Sequence, residues 1–330
     1  MRKTLQIWYF INESLKQKDS VMLLYVLESK GSSPGRQGFF MAVNAHDKME
    51  GSIGGGIMEH KFVEMAREKL RVGSNKSGVR KQIHDKSAAN NQSGMICSGE
   101  QTILLYPVQE KDLSTVQKII QSLKENLPER QAGKNGTLIL SPKDIQFSAA
   151  IPEKDFEFTF QSEEDWIYKE KTGYKNKLFI VGGGHCSLAF SKLMRTMDFY
   201  VQVYDDRENL KTILENDVAN EKLFIKDYSA LIDKIPSGPN HYVVIMTFGY
   251  RTDDIALKAL LNKEFKYIGV LGSKNKMEKL FDDYRSEGIS ESVLKRIHTP
   301  IGLDIKSQTP EEIAVSIAAE IIKVKNSSNS

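Results

Sequence analysis

The sequence predicts an α/β protein in two parts: a C-terminal Rossmann-type parallel sheet with helices on both faces, and an N-terminal mixed α+β domain. Three observations predict it. From Lys177 onward, short apolar runs alternate with helical segments, which is the βαβα order of a parallel sheet covered on both faces. The first of those runs ends in "IVGGGHCS" (180–187), a glycine turn between a strand and a helix. The preceding half mixes strands and helices without regular alternation, and 330 residues suffice for two cores. The expected domains are 1–175, with 128–175 partly a connecting region, and 176–330.

In chain order, an amphipathic helix is expected over about residues 3–17, where Asn12, Glu13 and Lys16 interrupt any run of signal-peptide length. "VMLLYVLES" (21–29) is a β-rich strand that ends in the turn-forming "KGSSPGRQG", and "FFMAV" (39–43) is a second strand. "GSIGGG" (51–56) leads into a helix on which Met58, Phe62, Met65 and Ala66 recur at helical spacing. "QTILLYPV" (101–108) is a strand, and "LSTVQKIIQSLKENL" a helix closed by Pro128. The polar stretch that follows offers short strands at "TLILS", "IQFSA" and "FEFTF". The Rossmann strands are "LFIVGG", "YVQVYD", "LFI", "YVVIMT" and "YIGVLG". A last helix starts at Thr309 as N-cap, with Pro310 at its first position and Glu312 closing a capping box.

Composition narrows the function classes. A net charge of +3, with acids and bases interspersed, gives no concentrated basic face for nucleic acid. No apolar stretch is long enough to span a membrane, so a soluble cytoplasmic protein is expected. The two cysteines, Cys97 and Cys186, lie far apart and neither belongs to a CxxC pair, which excludes a disulfide framework and argues against structural zinc.

Two glycine loops carry the chemistry. In the second, Gly182 and Gly184 permit a tight turn and backbone approach to an anion, and the helix start adds unpaired amides. Ser187 stands where a dinucleotide fingerprint has its third glycine, and Asp205 ends the next strand where a ribose-binding acid belongs. His185 could bond a ligand or cap the loop; Cys186 shares a field that lowers thiol pKa values, though an ordinary packed role is the simpler reading. In the first loop, Ser52, Gly54, Gly55 and Gly56 precede Glu59 and His60. Nearby "GSSPGR" offers Ser32, Ser33 and Arg36, a set suited to an anionic group.

Together these stretches resemble the XdhC/CoxI family, accessory factors for xanthine dehydrogenase and related molybdenum hydroxylases. The resemblance rests on "GSSPGRQG", "GSIGGGIME" and "ICSGE", then on "FIVGGGH", "VYDDR", "YIGVLGSKNK" and "RIHTPIGLDIKSQTPEEIAVSIAAEI". It implies a carrier, not a turnover enzyme, that binds molybdenum cofactor (molybdopterin) as transient cargo, with a nucleotide as a further ligand. It implies as partners a cysteine desulfurase, which sulfurates the cofactor, and the molybdenum hydroxylase apo-enzyme that receives it; a homodimer is left open. On that reading Ser32, Ser33, Arg36, Ser52, Gly54, Gly55, Gly56, Glu59, Cys97, Gly182, Gly184, His185 and Asp205 are cofactor-binding, around a cleft between the domains, and none is catalytic or a metal ligand. The chain departs from the family at Ile57, where the family commonly has cysteine, at Phe248, where it has histidine, and at Ser98 after Cys97. Two rival expectations are an NAD(P)-dependent oxidoreductase with His185 or His298 as proton donor, and a nucleotide-binding regulatory module.

Overall fold

The computed structural model describes residues 3–83, 99–125 and 136–327. The chain divides into two compact units, residues 1–173 and 174–330. Among the described residues no helix is long and apolar enough to cross a membrane.

Unit 1 begins with α1 (Lys3–Lys16), β1 (Val21–Gly31), β2 (Phe40–Asn44), β3 (Met49–Gly51), α2 (Gly56–Arg71), β4 (Gly78–Ile83) and β5 (Gly99–Val108). The strands form an antiparallel sheet in the order β3-β2-β1-β5-β4. β1 is an unbroken apolar run because both of its faces are covered. Val21, Leu23, Tyr25 and Leu27 pack on Leu5, Trp8 and Ile11 of α1, while Met22, Leu24 and Val26 meet Met58, Phe62 and Ala66 of α2. Each such fully buried side chain contributes about 1.5–3 kcal/mol.

After α3 (Leu113–Glu125) come β6 (Thr137–Leu140), β7 (Ile145–Ser148), β8 (Phe156–Ser162) and β9 (Asp165–Lys171). They make a second antiparallel sheet, ordered β7-β6-β9-β8. Three of these strands fall on the expected "TLILS", "IQFSA" and "FEFTF" runs, and Leu138, Leu140, Ile145, Trp166 and Tyr168 join the core that α1 and α3 share with the first sheet. β9 buries only one face, so its polar alternation masks that strand in the sequence, whereas β8 contains the expected "FEFTF" run. The Tyr25 and Tyr168 hydroxyls both donate to Glu170 Oε2, at 2.6 and 2.8 Å, and so link the two sheets.

Unit 2 runs β10 (Asn176–Val181), α4 (His185–Thr196), β11 (Phe199–Asp205), α5 (Lys211–Leu214), β12 (Glu221–Phe224), α6 (Leu231–Lys234), β13 (Gly238–Ile245), α7 (Tyr250–Leu260) and β14 (Phe265–Val270). It closes with α8 (Lys274–Ser286), α9 (Glu291–Leu294), β15 (Ile297–His298) and α10 (Pro310–Asn326). All six strands are parallel, in the order β12-β11-β10-β13-β14-β15. One face packs on α7 and α8 through Leu257, Leu260, Met277 and Leu280; the other packs on α4 and α10 through Phe190, Met194, Ile317 and Ile321. The Thr309 capping box forms as the sequence predicts, with Pro310 opening α10. The chain leaves β10 toward β11 on one side and returns at β13 on the other. That reversal of strand order lies at the carboxyl ends of β10 and β13, the place where open α/β sheets take their ligands.

Candidate functional site

Beyond β10 the backbone turns at Gly182, whose φ of 109° belongs to the left-handed region. A Cβ there would come within 2.3 Å of the Met246 carbonyl, so the turn presses against the segment that follows β13. The Gly183 amide donates to Asp205 Oδ2 at 2.6 Å, and Thr212 Oγ1 donates to the Gly183 carbonyl at 2.5 Å. Gly184 is the N-cap of α4; no side chain caps it, and a Cβ built on it would meet open space. His185 begins the helix and is exposed. Ser187 is fully buried against the sheet, and among the described residues its hydroxyl has no hydrogen-bond partner. A third glycine is thus not required for α4 to pack.

Asp205 differs from the expectation of a ribose ligand. Its side chain is fully buried and both oxygens are engaged: Oδ1 accepts from the Arg207 amide and Nε, Oδ2 from Gly183 and Arg207 Nη2, all within 2.9 Å. Burial pushes its carboxyl up, but the hydrogen bonds from Arg207 and Gly183 and the Arg207 charge outweigh it and hold the group below the usual carboxylate range. Cys186 also corrects an expectation. Burial, with the nearby Glu311 charge, pushes its thiol up rather than down, and its side chain packs on the core between α4 and the sheet.

The segment after β13, against which Gly182 packs, is held by residues the loop motif does not reveal. Asp253, 1% exposed, accepts from the Thr247 amide and hydroxyl at 3.0 and 2.6 Å, and Lys276 Nζ donates to it at 2.5 Å. These bonds fix the turn 247–249, which carries Phe248 into solvent, 88% exposed. Arg207 stands over the Phe248 ring, 5.9 Å from its centroid. "VYDDR" and "TFGYRTD" contain Arg207, Phe248 and Asp253, but only the fold puts them beside the glycine turn.

In unit 1 the first glycine loop has three successive left-handed residues: Gly54, Gly55 and Gly56, at φ 130°, 76° and 70°. That backbone path explains the triple glycine. Gly54 also lies against Gly35, where a Cβ would meet the Gly35 amide nitrogen at 2.4 Å, so the loops at 31–36 and 52–56 pack together. Gln101, almost fully buried, ties them by donating to the Gly35 carbonyl at 2.8 Å and to the Ile53 carbonyl at 3.4 Å. Ser33 is buried and donates to the same Gly35 carbonyl. Ser32 and Arg36 are exposed; Arg36 Nη1 donates to the Gly31 carbonyl at 2.9 Å, and among the described residues no carboxylate pairs with it.

Glu59 does not face away from this loop but closes it. Its Oε2 accepts from the Ser52 hydroxyl at 2.6 Å, the Ile53 amide at 2.9 Å and the Gly55 amide at 3.0 Å. Two of the backbone donors expected to meet an external anion are therefore held by the chain's own carboxylate. Ile57, 68% exposed, sits at the tip where α2 begins. Cys97 lies outside the described residues.

His298 is on β15, where its ring stacks on Tyr267 with centroids 4.4 Å apart and its Nδ1 lies 3.2 Å from Glu320 Oε1. Glu320 also accepts from the Gly302 amide, so this histidine belongs to a polar knot under α10. Among the described residues no group of three His, Cys, Asp or Glu side chains is arranged to hold a metal ion. A cavity of about 350 Å³ in unit 1, lined in part by Leu15, Lys69 and Gln109, and one of about 240 Å³ in unit 2, beside β14 and β15, include neither glycine loop.

Residues 178–321 match the XdhC Rossmann domain, and residues 14–81 match the XdhC and CoxI family. Uncharacterized protein YqeB of Escherichia coli (strain K12) is 30% identical over 155 residues, 47% of this chain and 28% of that protein. A probable xanthine dehydrogenase subunit of Bacillus subtilis (strain 168) is 28% identical over 151 residues, 46% of this chain and 43% of that protein. The matched stretch thus spans less than half the length of either relative. A crystal structure of a xanthine dehydrogenase from Bacillus halodurans superposes with a TM-score of 0.68 at 22% identity, covering 97% of this chain and 96% of that one; the two share a fold.

Proposed function

We propose, for a chain that belongs to the XdhC and CoxI family, that it is an accessory factor which binds molybdenum cofactor, assists its sulfuration and delivers it to a xanthine dehydrogenase-type molybdenum hydroxylase. The cofactor is cargo here, and the protein's task is to hold a phosphate-bearing pterin and let it go. A cysteine desulfurase is the partner that supplies sulfur, and the apo-hydroxylase is the acceptor.

The observation that carries the reading is the state of the second glycine turn. α4 starts at Gly184 with no side-chain cap and with open space where a Cβ would stand, whereas Asp205 has no oxygen left for a ribose. Helix-start amides suit a phosphate, and an acid saturated by its own arginine does not suit the ribose diol of a nicotinamide cofactor. Arg36, exposed and without a carboxylate partner among the described residues, offers a second anion contact in unit 1. Cys186, with its thiol raised and packed on the core, is poorly placed to carry sulfur.

The test is chemical. Protein purified from cells that make the cofactor is expected to release a fluorescent pterin on oxidative extraction, at close to one equivalent. It is expected to bind neither NADH nor NADPH in titration. A preparation that carries no pterin under these conditions overturns the carrier reading.

A further inference from the structure

Phe248 is the most exposed large apolar side chain among the described residues, at 88%. A single exposed aromatic on a surface calls for no explanation. This one does, because the turn beneath it is pinned. Thr247 is bound through its amide and hydroxyl to the buried Asp253, Lys276 holds that carboxylate from the other side, and the Gly249 amide donates to Thr252 Oγ1 at 3.2 Å. The segment before it touches the glycine turn, since only the absence of a Cβ on Gly182 lets Met246 and Thr247 approach. A rigid turn thus presents an open aromatic ring at the reversal of strand order, beside the uncapped start of α4.

Arg207 gives the ring a second distinctive feature. Its guanidinium is fixed by paired hydrogen bonds to Asp205, so it cannot follow a ligand into solvent, and its charge stands 5.9 Å from the centre of the Phe248 ring. A cation held on one side of an aromatic ring fixes that ring in place and leaves its opposite face for a planar ring to stack on.

We infer that Phe248 is a stacking platform for the planar bicyclic heteroaromatic ring of the ligand, a pterin or a purine base, with Arg207 behind it and the ligand's phosphate at the Gly184 turn. The inference rests on the proposed function for the choice of ring but concerns this chain's own residue. Stacking on a protein aromatic stabilises a bound base enough that its loss weakens binding roughly five- to hundred-fold.

The test compares wild type with Phe248→Leu, which keeps an apolar side chain but removes the ring, and Phe248→Trp, which enlarges it. The probes are 6-hydroxymethylpterin phosphate, GDP and inorganic pyrophosphate, followed by fluorescence and calorimetry. The expected result is a five- to hundred-fold loss of affinity for the ring-bearing probe in Phe248→Leu, retention in Phe248→Trp, and pyrophosphate binding that does not change. Equal binding of the ring-bearing probes by wild type and Phe248→Leu overturns the platform and leaves the carrier reading intact. Phe248-dependent binding of GDP without any pterin binding supports the platform and overturns the pterin cargo. Binding of no ring-bearing probe by wild type overturns both.

Discussion

At the scale of single residues, the two glycine loops are organised by carboxylates. Glu59 accepts three hydrogen bonds from its own loop. Glu59→Ala strands the Ile53 and Gly55 amides and is expected to lower stability by about 1–3 kcal/mol in urea unfolding. Asp205 is the counterpart in unit 2. Its carboxyl titrates below its unfolded value when folded, so the stability it contributes is present above about pH 4 and is lost as pH falls through the folded value. Asp205→Asn is accordingly expected to be less stable than wild type at pH 7, with the gap closing toward pH 3; denaturant unfolding at the two pH values reads it directly. Cys186 is expected to react with a disulfide reagent at pH 8 more slowly than free cysteine, measured in a Cys97→Ser background, because burial raises its thiol. The residue types at these sites are legible in the sequence, and their partners are not. Spacing suggests that Asp205 belongs near the glycine turn, but the "DDR" run does not reveal that Arg207 would occupy both of its oxygens.

At the scale of elements, hydrophobic period and punctuation locate most strands and helices, because the large ones are buried on a well-defined face. The Thr309–Glu312 capping box is legible in the residue spacing alone, and Thr309→Ala is expected to cost about 1 kcal/mol in thermal unfolding. Gly182→Ala should cost more than about 1 kcal/mol, since it combines a left-handed backbone with a clash against Met246. The strands that the sequence does not disclose share a physical cause: weak burial. β3 is wholly exposed, β4 buries only Val79 and Gln82, and β15 is only two residues long. Such strands are held by neighbours remote in sequence rather than by their own patterning. β9 is the instructive case, because Trp166 and Tyr168 alternate toward the core while the charged residues around them suggest a loop.

At the scale of the whole molecule, each unit has a core of its own, with separate apolar clusters on the two faces of each principal sheet. Residues 174–330 expressed alone are therefore expected to unfold cooperatively and to retain far-ultraviolet circular dichroism typical of an α/β fold. A fragment that behaves as an unfolded chain would contradict that independence. The division into a Rossmann half and a mixed half follows from alternation of elements alone. The second sheet of unit 1 does not, because nothing in a polar stretch with three short apolar runs says that they share a core with a helix more than a hundred residues earlier.

A carboxylate tethered by a few residues competes with any incoming anion at an effective concentration in the millimolar range or above. Glu59 is such a tethered competitor at the loop 52–56. An anion that approaches the Ile53 and Gly55 amides has to displace this carboxylate first, so a ligand offering a single acceptor gains less there than it would at a pair of unoccupied amides.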